Sequence, residues 1–138
     1  MLAVLDIAAN AEHQPVSRKD IAARQQLPND YVEQILVRLR RGNVVSSTRG
    51  PHGGYRLARP ASEITALDVL EAVEERIEPA TCVGDMAPSC SRSGSCASHV
   101  LWEELTSKVS EYLRSVTLEM LLERRRVLES GERPLTFA

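Results

Sequence analysis

The segment from residue 17 to residue 59 constrains the fold most, because its pattern changes from helical to β-prone in a fixed order. A start that resembles a capping box, with Ser17 and Asp20, precedes the short helical run DIAARQQ. The turn LPND follows, and either Asn29 or Asp30 is expected to be the N-cap of the next helix. Two short helices joined by a tight turn predict a helix-turn-helix unit.

The second of these helices, YVEQILVRLRR, is predicted to be amphipathic. Its apolar stripe consists of Val32, Ile35, Leu36 and Leu39. Its polar face carries Tyr31, Glu33, Gln34, Arg38 and Arg41. Gly42-Asn43 then supplies a helix stop. A recognition helix that enters the major groove of DNA has this two-faced character.

The runs VVSST and YRLAR come next and are β-prone, while RGPHGG between them suits a hairpin tip. A basic hairpin directly after a recognition helix is a wing. The sequence therefore predicts a mainly α fold with a small β-hairpin. Residues 1–78 would form a winged helix-turn-helix domain that binds DNA.

Charge is distributed unevenly and supports a polyanionic partner. Residues 1–60 carry nine Lys/Arg against five acids, whereas residues 61–138 carry eight against fourteen. Between Arg38 and Arg59 there are six arginines and no acid. Gln34 and Glu33 are candidates for base edges. The candidates for phosphate and minor-groove contacts are Arg38, Arg40, Arg41 and Arg49.

The second half of the chain predicts a long amphipathic helix over residues 98–114, within a dimerisation segment of residues 98–138. An earlier helix, ALDVLEAVEE, is expected to start at Thr65 and end before Pro79. The long helix has little in the chain against which to bury its stripe, so we expect a homodimer. The predicted dimer contacts are Leu101, Leu105, Val109 and Tyr112.

All three cysteines fall in a loop at residues 79–99, in the spacing Cys82-x7-Cys90-x5-Cys96-x2-His99. Three thiolates and one imidazole are a ligand set for zinc or for an iron–sulfur cluster. The wide spacings favour a loop wrapped around a cluster, although a structural zinc site remains an alternative. A redox protein or cluster carrier without a DNA role is a third possibility.

The chain shows no enzyme signature and no targeting segment at its start. We find no nucleophile–base pair, phosphate loop or substrate-binding motif, so we expect neither an enzyme nor a small-molecule substrate. The opening MLAVLDIAANAEHQ is neither a signal peptide nor a membrane span, which indicates a cytoplasmic protein without a membrane partner. In that reducing compartment, three clustered cysteines favour metal or redox chemistry over disulfides.

Four stretches resemble the bacterial IscR-type iron–sulfur regulators: DYVEQILVRLRR, VVSSTRGPHGGYRLARP, CASHVLW and SVTLEML. The resemblance implies a homodimeric transcription factor that binds an operator in double-stranded DNA and senses cluster, iron or redox status. It makes Cys82, Cys90 and Cys96 the cluster cysteines and His99 the fourth ligand. The implied DNA-contacting residues are Asn29, Tyr31, Glu33, Gln34, Arg38, Arg41, Arg49, Gly50, Pro51, Gly53 and Arg56.

The chain departs from the IscR pattern in three places. Seven residues separate the first two cysteines, as in an iron-responsive branch associated with [4Fe–4S] clusters, where the IscR type has five. The ending Cys-x2-His-x-Leu-Trp favours [2Fe–2S] instead. His52 replaces a glycine of the wing. The chain also starts inside the family's first helix, which implies either a misassigned start or a shortened product.

Overall fold

The computed structural model describes residues 1–11, 14–75, 77–84 and 90–131. Within them the α-helices are α1 (Leu2–Asn10), α2 (Arg18–Gln25), α3 (Asn29–Arg41), α4 (Ala66–Ala72), α5 (Ala97–Ser115) and α6 (Leu118–Glu129). The strands β1 (Val45–Thr48) and β2 (Gly54–Leu57) form one antiparallel hairpin. Short 3-10 turns lie at Ala61–Glu63 and Ser93–Ser95. The expected mainly α fold with one hairpin is confirmed.

Helices α2 and α3 form the predicted helix-turn-helix pair. Ser17 caps α2, and its side chain accepts a hydrogen bond from the Asp20 backbone N–H at 3.2 Å. The left-handed residue Gln26, at φ 53°, ends α2. The expected N-cap of α3 was wrong, because Pro28 occupies that position and its carbonyl accepts the N–H of Val32 at 3.0 Å. Accepting the first helical hydrogen bond needs only the backbone carbonyl of the N-cap residue, so a proline is tolerated at that position.

One hydrophobic core joins the winged part of the chain to α6. Its fully buried members include Ile7, Ile21, Leu36, Ile64 and Leu118. Helix α6 packs against α1 and the Ala61–Glu63 turn. The C-terminal helix thus returns to the domain formed by the first half of the chain.

The hairpin is anchored at its base by the segment before α2. Within it, Val45 pairs with Leu57 and Thr48 with Gly54. Val16 adds a further bridge, since its N–H donates to the Tyr55 carbonyl at 2.9 Å and its carbonyl accepts the Tyr55 N–H at 2.8 Å. The wing therefore has a fixed position relative to the helix-turn-helix.

Helix α4 begins at the predicted place and ends earlier than predicted. Thr65 and Asp68 form a reciprocal capping box. The expected helix was to continue almost to Pro79, but α4 ends at Ala72. Glu74 takes the left-handed conformation at φ 61°, which α-helical backbone cannot include.

A two-bond backbone bridge, the Thr65–Thr117 bridge, ties the α5–α6 junction to the start of α4. The Ala66 N–H donates to the Val116 carbonyl and the Leu118 N–H donates to the Ile64 carbonyl, both at 2.8 Å. Val116 is extended and 4% exposed. This junction is therefore a fixed point of the fold.

Candidate functional site

The outward face of α3 is the central part of the candidate nucleic-acid interface. Val32, Leu36 and Leu39 are fully buried and hold the helix on the core. The opposite side consequently faces outward, where Tyr31 is 51% exposed. The residues of this helix that were predicted to contact DNA are all exposed: Asn29, Tyr31, Glu33, Gln34, Arg38 and Arg41.

An ion pair links this face to α2. Arg18 Nη1 donates to Glu33 Oε2, and the two side chains are 35% and 55% exposed. Glu33 would otherwise present a negative charge beside the basic residues of α3. Its charge is compensated by a residue of the first helix of the pair, so the acid need not repel a phosphate backbone.

Two other arginines of α3 are directed by hydrogen bonds to neighbouring elements. Arg38 Nη1 donates to the Val73 carbonyl, at the end of α4, at 3.1 Å. Arg40 Nη1 donates to Ser47 Oγ in β1 at 3.3 Å. Both residues remain exposed. Their guanidinium groups therefore lie along the surface that α3 shares with the wing and with α4.

The tip of the wing, residues 49–53, is a tight exposed turn. Arg49, Gly50 and Pro51 are exposed. Gly50 has φ 115°, and its carbonyl accepts the Gly53 N–H at 2.9 Å. A Cβ on Gly53 would lie 2.3 Å from the Thr48 carbonyl oxygen, so this position admits only glycine. The turn presents Arg49 at the end of the hairpin.

Arg56 has a different position from the other predicted DNA contacts. It lies in β2 and is partly buried, and its Nη1 donates to the Ala11 carbonyl at the end of α1 at 2.7 Å. This bond fastens the wing to the first helix. Arg56 therefore supports the wing's position in addition to any contact with DNA.

The predicted metal ligands lie at the two ends of the cysteine loop. Cys82 follows α4, whereas Cys90 and Cys96 precede α5, and Cys96 is the N-cap of that helix. All three thiols are free and partly exposed. Residues 85–89 of the loop lie outside the described part of the chain.

His99 is in the first turn of α5, and its backbone N–H donates to the Cys96 carbonyl at 3.1 Å. Its side chain is only 13% exposed, and its Nε2 lies 3.3 Å from Glu103 Oε1. Its Nδ1 is buried without a hydrogen-bond partner among the described residues. A metal-binding histidine commonly has a carboxylate beside its second ring nitrogen. His99 has Glu103 beside Nε2, so its Nδ1 is suited to be a metal ligand.

The donor set fits an iron–sulfur cluster by its chemistry, since three free thiols and an imidazole nitrogen without a partner in the described ranges are available ligands. In the described residues, no group of three or more His, Cys, Asp or Glu side chains is arranged to hold a metal ion. The cysteines and His99 are thus suitable donors that the described geometry does not bring together.

Helix α5 presents an apolar row to solvent. None of its 19 residues is buried. Leu101 is 57% exposed, Leu105 42% and Tyr112 49%, while Val109 is partly exposed. These four large side chains therefore lie outside the hydrophobic core of the described chain.

The sequence did not reveal the partners of Glu33 and Asp6. Arg18 lies fifteen positions from Glu33, and Arg24 lies eighteen positions from Asp6. No helical spacing connects residues so far apart, so no sequence signal was available. Glu103 could have been found, because it stands four residues after His99 on the same helix.

No helix in the described ranges has the length and apolarity needed to cross a membrane.

Comparisons with known proteins agree with the observed fold. The sequence profile of the Rrf2 family, described as an iron-dependent transcriptional regulator, matches residues 1–124. The transcriptional regulator IscR of Xenorhabdus nematophila is 37% identical over 131 residues, which are 95% of this chain and 79% of that protein.

Two solved structures are similar in sequence and fold. The global cysteine regulator CymR of B. subtilis is 33% identical with a TM-score of 0.69, and the match covers 87% of each chain. The IscR of T. potens is 30% identical with a TM-score of 0.68, over 98% of this chain and 86% of that one. The family is described as a transcriptional regulator and the Xenorhabdus nematophila relative is named as one, and neither is named as an enzyme. The chain belongs to the Rrf2 family of transcriptional regulators.

Proposed function

We propose that this regulator is a homodimer that binds operator DNA through α3 and the wing. We further propose that an iron–sulfur cluster bound by the cysteine loop controls its affinity for DNA. The observation that carries the proposal is the position of one exposed polar helix beside one exposed glycine-rich wing tip. In winged helix-turn-helix proteins the helix equivalent to α3 contacts bases in the major groove. Arg49 at the tip has the length and charge to enter a narrow minor groove.

The DNA contacts can be tested before an operator is known. Phosphate contacts contribute to the affinity for any duplex. The slope of log affinity against log salt is negative, and each contact removed reduces its magnitude by about 0.9. We expect Arg49→Gln to make the slope shallower by about this amount with a random-sequence duplex. Arg114→Gln, which removes the same charge from the last turn of α5, is the matched control. Equal slopes for the two variants would contradict the assignment of Arg49.

The proposed ligands of the cluster are Cys82, Cys90, Cys96 and His99. When bound, an iron–sulfur cluster would supply a redox-sensitive connection among three thiolates and one imidazole. The buried Nδ1 of His99, which has no hydrogen-bond partner among the described residues, supports its role. By the resemblance a [2Fe–2S] form is favoured, and a [4Fe–4S] form is the alternative. Because Cys96 and His99 belong to the start of α5, their ligation would fix the loop relative to that helix.

Anaerobic purification distinguishes the proposed cofactor from zinc. A brown protein that contains iron and sulfide supports the cluster, whereas a colourless protein with stoichiometric zinc contradicts it. Mössbauer spectra of the wild type and of His99→Ala would then identify the cluster type. A [2Fe–2S] centre with His99 as ligand requires the two iron sites to differ in the wild type and to change in the variant.

Dimerisation through α5 is proposed on its exposed apolar row. Leu105→Glu places a charge in that row and should give a monomer by size-exclusion chromatography with light scattering. Arg114→Glu is the control, because Arg114 is an exposed residue of α5 and stands nine residues from Leu105, on the opposite side of the helix. A dimer that survives Leu105→Glu unchanged would move the interface elsewhere.

Control of DNA affinity by the bound cluster can be tested independently of the DNA contacts and of dimerisation. Proteins with and without the bound cluster are compared on duplexes selected from a random pool, at one fixed salt concentration. The proposal requires at least one selected duplex to discriminate between the two states. If every duplex binds both states equally, the cysteine loop does not regulate DNA binding.

A further inference from the structure

A cleft of about 600 Å³ lies between α1, the segment after β2, and α6. Arginines dominate its polar lining: Arg56 and Arg59 on one side, and Arg125 and Arg126 from α6 on the other. Glu129 is the one acid among its described lining residues. Four arginines against one acid give the described lining a formal charge of +3. The cleft is thus strongly positive although the chain as a whole is slightly acidic.

Within the described residues, carboxylates pair with two of these arginines, Arg59 and Arg125. Glu129 accepts a hydrogen bond from Arg125 Nε at 2.7 Å. Asp68 lies 3.4 Å from Arg59 Nη2, and the Arg59 Nε is buried without a hydrogen-bond partner among the described residues. No ion pair of Arg126 is found within the described part of the chain. Arg126 and the Arg59 Nε therefore offer donors that the described residues do not use.

The rest of the cleft is apolar. Ile7 from α1, Leu57 from β2 and Leu122 from α6 line the same space. Apolar walls reduce the local dielectric screening, which strengthens the attraction between guanidinium groups and an anion held among them. They also raise the repulsion among the arginines when no anion is present.

We propose that this cleft binds a small polyanion, a molecule with at least two carboxylate or phosphate groups. The planar guanidinium fork matches the oxygens of either group in a two-bond geometry. Arginines on two opposite sides of a cleft can hold two such groups of one molecule. The volume is that of an ordinary small-molecule site. A bound polyanion would connect α6 to the wing segment at a site separate from the cysteine loop.

The test is isothermal titration calorimetry on the full-length protein, with citrate and pyrophosphate as separate probes at constant ionic strength. Saturable binding of one or both supports the proposal, and the preferred probe identifies carboxylate or phosphate chemistry. Arg126→Gln should weaken that binding about tenfold, because hydrogen bonds to charged groups are the strong ones. Arg126→Lys, which keeps the charge without the fork, should lie between the wild type and Arg126→Gln, and it also shows whether the helix tolerates change.

Arg114→Gln is the matched control, because it removes the same charge from an exposed position in the last turn of α5, outside the cleft lining. Its affinity should stay within about twofold of the wild type, since only a screened Coulomb interaction is lost. Absence of saturable binding for both probes overturns the proposal, as does equal weakening by Arg114→Gln and Arg126→Gln. If Arg126→Gln lowers the affinity for a random duplex and neither probe binds, the cleft is part of the DNA surface and the proposal fails.

Discussion

The carboxylate of Asp6 in α1 is held by the guanidinium of Arg24 in α2 through two hydrogen bonds, Nε to Oδ1 at 2.9 Å and Nη2 to Oδ2 at 2.7 Å. Gln25 donates a third to Oδ1 at 3.0 Å. Asp6 is 1% exposed, and it is the one charged residue among the buried side chains of the described chain. The hydrogen bond to Asp6 raises the pKa of Arg24. This pair fixes the first helix against the helix-turn-helix.

Arg24→Ala should lower the free energy of unfolding by about 2 kcal/mol, because it leaves a buried carboxylate without its cation. The loss is smaller than for a fully buried pair, since Arg24 is 42% exposed and water can partly replace it. Urea unfolding measures the change. Lys19→Ala, at an exposed position of the same helix, should change stability by less than about 0.5 kcal/mol. Equal losses in the two variants would show that the pair contributes nothing specific.

The Arg18–Glu33 ion pair predicts a non-additive effect on DNA affinity. Arg18→Ala should weaken binding to a random duplex by a few-fold at low salt, since it exposes an uncompensated acid to the phosphates. The double variant Arg18→Ala/Glu33→Ala should recover most of that loss. Fluorescence anisotropy of the wild type, both single variants and the double variant completes the cycle. Additive effects would mean that the two residues act independently.

Gly53→Ala should disrupt the wing tip without unfolding the domain. The new Cβ would meet the Thr48 carbonyl oxygen and the backbone of Arg49 and Gly50, so the turn must open. We expect DNA affinity to fall at least as far as in Arg49→Gln, with circular dichroism of the helices unchanged. Gly94→Ala, compared in cluster-free protein because Gly94 lies in the cysteine loop, is the control, since a Cβ there meets nothing within 4 Å. A Gly53→Ala variant with wild-type DNA affinity would refute a role of the tip.

Glu103 contacts the proposed ligand His99, so we expect its removal to weaken retention of the cofactor. Its carboxylate lies beside His99 Nε2 and leaves Nδ1 as the nitrogen available to a ligand. Glu103→Ala should lower the affinity for the bound metal about tenfold, as loss of a supporting carboxylate commonly does. Iron content after dialysis against a chelator measures it. Glu104→Ala, the adjacent exposed acid of α5, should retain as much iron as the wild type.

The sequence predicted the helix-turn-helix, the wing and the long helix because each depends on local patterns. The stripe of Val32, Leu36 and Leu39 and the cap at Ser17 are of this kind. The N-cap of α3 and the end of α4 were missed, since a backbone carbonyl at Pro28 and a left-handed Glu74 have no strong side-chain signal.

Contacts between distant parts of the chain could not be predicted. The Asp6–Arg24 pair, the Arg18–Glu33 pair and the arginine-lined cleft join residues from separate helices, and their positions follow only from the packing of the core. The predicted cluster ligands and DNA contacts remain predictions, because they concern molecules beyond the chain itself.

The Thr65–Thr117 bridge fixes the C-terminal end of α5 while its N-terminal end carries Cys96. The helix has 19 residues and so spans roughly 28 Å from Val116 to Cys96. Over that length, a displacement of about 1 Å at Cys96 corresponds to a rotation of the helix axis by about 2° about Val116. In a symmetric dimer the two α5 helices would rotate together. Each fixed end is joined by backbone hydrogen bonds to the start of α4, the helix whose end contacts Arg38 of the recognition helix.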